Sequence, residues 1–182
     1  MVDDSGGAIT SGGTIIDEKD VSESEQRLRQ LRAYIVPGYV FALNDESTGR
    51  TDAGKKHRPA VLVRVPPLSE RAAIALQQRV QVSNRLSWKW DKWGPPPSTD
   101  SERADLLRRM GWVFSPARTV PGFNRDGIFE VRRLYPIKVI DLINGRPLGW
   151  LLPPAIAKQI MAHSGVGLPG CYPPSDAGDC DA

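Results

Sequence analysis

The chain has 182 residues, 40% hydrophobic and 25% charged, the make-up of one ordinary globular domain with appendages. No stretch approaches the roughly 18 apolar residues of a membrane span, and the acidic opening MVDDSGG lacks the apolar segment of a secretory signal, so the cytoplasm is expected and a membrane partner is not. The net charge of +3 hides a segregation: residues 1–26 carry −6 and residues 165–182 carry −3, leaving residues 27–164 at +12, which points to a polyanionic partner, most commonly nucleic acid.

Residues 1–22 are rich in Gly, Ser and acids, which predicts a flexible acidic segment. Ser22 and Glu25 form a capping-box pattern, predicting a short helix from about residue 23 to 33 with Leu28 and Leu31 as its apolar stripe and Val36-Pro37-Gly38 as its stop. YVFAL, residues 39–43, reads as a strand, and residues 44–54 as a long polar loop. Pro59 leads into AVLVRV, residues 60–65, a buried strand with proline at its first position, where no ladder donor is required; Pro66-Pro67 ends it. AAIALQQRVQVS, residues 72–83, reads as a further strand whose front half suits a helix equally well.

LSWKWDKWGPPPST, residues 86–99, interleaves Trp88, Trp90 and Trp93 with Lys89 and Lys92. The three indoles have two readings, stacking on bases with Lys89 and Lys92 at the phosphates or packing the insertion onto the domain; if the segment is extended, Trp88 and Trp90 share a face, which favours packing for that pair and leaves Trp93 open. A short helix is expected over 101–110, capped by Ser101 and stopped by Gly111, then extended chain at 111–114 and strands at 127–131 and 134–143. Asn144-Gly145 signals a tight turn, 147–152 a short strand, and Pro153-Pro154 the start of a last helix ending near His163. The expected fold is mainly β within the α+β class: a small barrel of about five to seven strands over residues 23–164, with a C-terminal helix, a long insertion at 86–123 and flexible acidic ends. Cys171 and Cys180 both fall in the Gly/Pro/Asp-rich tail, where they cannot staple a core. With His163 they show no zinc-ligand spacing, so neither a metal site nor a cofactor is expected.

PGYVFAL, a polar loop and then GKKHRPAVLV resemble the opening of the MazF/PemK (Kid)-type toxins, in which a first strand, a loop and a G-[KR]-x-RPA-V-[VL] segment follow in that order. RVQVSNR (79–85), NRDGIFEVRRLYPI (124–137) and the closing LPPAIAKQI are similar to later blocks of the same family in the same order, so the resemblance spans roughly residues 36–163. Against the family pattern, Lys55 and Lys56 are extra bases before His57-Arg58, and the segment from Leu86 to Phe123 is longer than the family norm. The resemblance implies an SH3-like barrel, a homodimer, metal-independent cleavage of single-stranded RNA at short sequences, and neutralisation by an antitoxin protein.

Such cleavage requires the 2′-OH to lose a proton, the phosphorane to be neutralised and the 5′-oxygen to be protonated. Arg58 matches the family's catalytic arginine and is the candidate for phosphorane stabilisation; Ser83 matches a strand-end Thr/Ser. His57, titrating near pH ~6.5 when unperturbed, and Asp52 of the loop are the candidate base or acid, although alternation along an extended chain turns His57 away from Arg58. Lys55, Lys56, Arg79, Arg85, Lys89, Trp93 and Arg132 are the candidate RNA contacts. Two other readings stand beside the nuclease: a non-catalytic barrel binding RNA or protein, and a toxin with a protein target, which the basic core disfavours because such a target does not need +12.

Overall fold

The computed structural model describes residues 18–44 and 57–164. The expected flexible ends at 1–17 and 165–182, with Cys171 and Cys180, and the loop residues Asp52, Lys55 and Lys56 lie outside the described residues. Helix α1 (Glu18–Leu31) begins four residues before Ser22, so the capping-box pattern lies inside the helix, and residues 18–22 belong to it. A 3-10 turn (Arg32–Tyr34) carries the chain to β1 (Tyr39–Asn44) and β2 (His57–Arg64). Then come α2 (Ala72–Gln77), β3 (Arg79–Ser87), α3 (Trp90–Trp93) and α4 (Asp100–Met110). They are followed by β4 (Trp112–Ser115), β5 (Gly127–Glu130), β6 (Tyr135–Lys138), α5 (Val139–Asn144), β7 (Arg146–Leu151) and α6 (Pro154–His163).

The fold is α+β, built on a seven-stranded sheet of order β4-β5-β3-β2-β1-β7, with β6 also paired to β3. Every pairing is antiparallel. The sheet is open, its hydrogen-bonded path running from β4 to β7 without closing into a ring among the described residues. Alternation along the strands gives it two faces. Phe41 and Leu43 of β1, Ala60 and Leu62 of β2 and Val80 and Val82 of β3 point to face one, where they meet Leu28 of α1, Leu76 of α2 and Leu142 of α5. Val40, Val61 and Val63 point to face two, against Phe129 of β5, Leu107 of α4 and Ile160 of α6. Each fully buried Val, Leu or Phe on these faces contributes about 1.5–3 kcal/mol.

Several local expectations need correcting. Residues 72–83 divide into α2 and β3, the helical front half being the reading that holds. Residues 134–143 are not one strand: β6 ends at Lys138, and Val139, Leu142 and Ile143 then share the buried side of α5, a helical spacing inside a β-branched run. Asn144-Gly145 ends that helix rather than forming a hairpin turn. Gly145 has φ −70°, and its amide donates to the carbonyls of Asp141 and Leu142, so glycine is required here for space: a Cβ would lie 2.9 Å from Leu43 Cδ2. Pro59 is the third residue of β2, not its first, and the ladder to β3 starts one residue beyond it, at Ala60, past the position that cannot donate. Helix α4 is capped by Thr99, not Ser101, through a reciprocal capping box with Glu102, and it stops at Gly111 in the left-handed region at φ +65°.

Candidate functional site

Strand β3 is the hub of the sheet. One edge pairs with β2; the other is shared, Arg79–Val82 pairing with β6 and Arg85–Ser87 with β5. Between those two ladders lie Ser83 and Asn84, both buried. Ser83 Oγ donates to the Glu130 carbonyl at 3.0 Å, filling the break where the chain leaves β5 before β6 begins. Ser83 is fully buried, so this matched hydroxyl is committed to holding the sheet.

Asn84 sits opposite Ala60 and follows Val82 along face one. Its Nδ2 is buried and has no hydrogen-bond partner among the described residues. An unmade bond of this kind costs about 1–3 kcal/mol. Alternation places three further polar side chains on the same face around it. Arg58, paired with Leu43, lies two residues before Ala60. Extending the β3–β5 register by one step sets Glu130 beside Asn84, and Tyr135 stands opposite Val82. Glu130 Oε2 and the Tyr135 hydroxyl are buried, and none of Arg58, Glu130 and Tyr135 is unpartnered. Arg133 lies over the Tyr135 ring, 5.4 Å from its centroid. The register sets Ala60, not Arg58, in line with Asn84 and Glu130, so Arg58 lies two residues along its strand from that line, with β3 between it and Glu130. Arg58, Asn84, Glu130 and Tyr135 therefore share one face of the sheet, with Arg58 set diagonally to the others.

The same alternation separates residues that the sequence reading grouped. Ser83 pairs with Val61 on face two, so it does not join Arg58. His57 is exposed at the first position of β2 and alternates away from Arg58, as the extended chain requires. Arg85 is not a surface RNA contact. It is only 6% exposed, and its guanidinium donates to the carbonyls of Ser115 (3.2 Å) and Arg125 (2.6 Å) while stacking 4.0 Å over Phe123. Burial lowers its pKa to about 10, opposed by the nearby Asp126 carboxylate, so it remains a cation at neutral pH. Arg132 is exposed but turns back to the end of α4, donating to the Arg108 carbonyl at 2.7 Å, a favourable place for a cation. Arg79 and Lys89 are exposed, Arg79 directly across from Lys138, a like-charge pair that an anion would relieve.

The tryptophans divide differently from the extended reading, because residues 90–93 form one helical turn. Trp88 and Trp93 pack together at 5.3 Å, with Phe114 edge-on to Trp88 and Trp112 at 4.9 Å from Trp93. Trp90 is the one of the three left outside, 64% exposed. Sequence reasoning missed Asn84, Glu130 and Tyr135. The available signal was a polar residue at strand positions where alternation demands an apolar one, as in VSN and GIFEV. Among the described residues no helix is long and apolar enough to cross a membrane. No family model matches the chain, and no curated protein matches it.

Proposed function

We propose that the chain is a metal-independent endoribonuclease of the MazF/PemK kind, acting on single-stranded RNA as the cytoplasmic, homodimeric toxin of a toxin–antitoxin pair. The observation that carries the reading is the set of polar side chains on face one: Arg58 at the head of β2, set diagonally across β3 from Asn84 and Glu130. In the proposed reaction Glu130 takes the proton of the 2′-OH, the 2′-oxygen attacks phosphorus, and the Arg58 fork neutralises the phosphorane. Asn84, buried next to Glu130 in the register, lines the face behind that carboxylate and does not itself reach the substrate; solvent protonates the departing 5′-oxygen, leaving a 2′,3′-cyclic phosphate and a 5′-OH. The basic middle of the chain, at +12, supports a polyanionic substrate.

The test is incubation of the full chain with a long single-stranded RNA in EDTA. Cleavage is expected, with Arg58→Ala and Glu130→Gln each reducing the rate by at least about 100-fold, the order of effect of removing one charge-stabilising group. A 2′-deoxy sugar at the cleaved position should block the cut. Salt-sensitive binding without cleavage by the wild type would overturn the nuclease. It would favour a non-catalytic RNA-binding module instead, a reading that draws specific support from the commitment of the Ser83 hydroxyl to the Glu130 carbonyl. Growth arrest with no effect on RNA would point to a protein target.

A further inference from the structure

The segment that exceeds the family pattern, residues 86–123, builds a second surface feature. Trp88, Trp90, Ala117, Asn124, Arg125 and Asp126 line a shallow hollow of about 400 Å³, within the roughly 300–1,000 Å³ of small-ligand sites. Its floor is held from below. The Trp88 amide donates to the Asp126 carbonyl at 2.8 Å, and Arg85 pins the Arg125 carbonyl at 2.6 Å. The Asp126 carboxylate accepts the Ala117 amide at 2.7 Å. The Trp88 indole is fixed by its own donation to the Gly94 carbonyl at 2.8 Å and by the rings of Phe114 and Trp93. Trp90, by contrast, leaves most of its indole in water at 64% exposure, which costs free energy unless a flat ligand covers it. The exposed charges around it are mainly cationic: Lys89, Lys92 and Arg125, with Asp91 the exposed acid.

We infer that this hollow is a stacking subsite for one unpaired nucleobase of the RNA, held on Trp90 with its flanking phosphates at Lys89, Lys92 and Arg125. The inference rests on the RNA reading above and assigns the insertion the role of gripping the strand away from the bond that is cut. A π-face without a fixed edge pattern binds any base, and base pairing hides that face, so the subsite selects single strands.

The experiment measures binding of a labelled single-stranded RNA by anisotropy, using Arg58→Ala as the non-cleaving parent. Adding Trp90→Ala should weaken binding about 5- to 150-fold, the loss of one base stack, whereas Trp90→Phe should keep most of it. Binding of a fully paired duplex should not respond to either change. Trp90 lies on the surface, so the fold is retained, and a matching far-UV spectrum checks this. Trp90→Ala binding within twofold of the parent overturns the subsite even if the wild type cleaves RNA, and then the nuclease reading stands alone. Trp90-dependent binding by a wild type that does not cleave supports the subsite and sinks the nuclease. Absence of RNA binding by the wild type overturns both.

Discussion

Asn84 and Arg85 are neighbours on β3, and both are buried polar groups, but they face opposite ways and do opposite work. Arg85 has its donors satisfied by two backbone carbonyls and an aromatic face. Its removal leaves those carbonyls bare and opens a cavity, so Arg85→Met should destabilise the chain by about 2–4 kcal/mol, read by urea denaturation. Asn84, with an unused donor, predicts a different outcome. Asn84→Leu removes an unsatisfied group at similar volume, so stability should hold within about 1 kcal/mol or rise, while RNA cleavage should fall more than about tenfold. Loss of stability together with activity would mean that the amide is merely structural.

At the scale of elements, α4 shows how a short polar helix is held in place. Glu102 accepts hydrogen bonds from the amides of Thr99 and Ser98 and from the Ser98 hydroxyl, which pulls its pKa from 4.5 to about 2. The folded pKa is depressed, so the contribution of the cap is complete above about pH 4.5 and is lost as pH falls through about 2. Glu102→Gln should flatten the acid limb of the stability curve over that range, as seen by thermal melting at stepped pH. Gly127 lies where β5 meets both β4 and β3. A Cβ there would stand 2.5 Å from the Leu86 carbonyl oxygen and 2.7 Å from Arg85 Cζ, and backbone cannot yield as a flexible side chain can. Gly127→Ala should therefore cost about 1–3 kcal/mol, the range for forcing extra volume into packed structure, by the same urea assay.

For the whole molecule, charge is the property that travels furthest. A middle segment of +12 should bind single-stranded RNA with strong salt dependence. If Lys89, Lys92 and Arg125 alone meet phosphates, the logarithmic slope should be about −2, and steeper if Arg58 engages as well. A flat response between low and physiological salt would remove the polyanion from the argument. This charge, the strand positions of β1, β2 and β5, the closing helix and the apolar alternation of the core could all be read in the chain, because they depend on local sequence periods and on sums over residues. The helical turn at Val139–Asn144 could not, because β-branched residues and contact with α1 and β1 pull it in different directions, and packing decides. The site divides along the same line. Arg58 was singled out by its setting in HRPA, but Asn84 and Glu130, which share its face, come from strands far apart in sequence. Which of Ser83, Asn84 and Arg85 shares the face of Arg58 was settled only when β5 and β6 took turns along one edge of β3. Burial and pairing are properties of neighbours brought together by folding, and no local pattern encodes who those neighbours are.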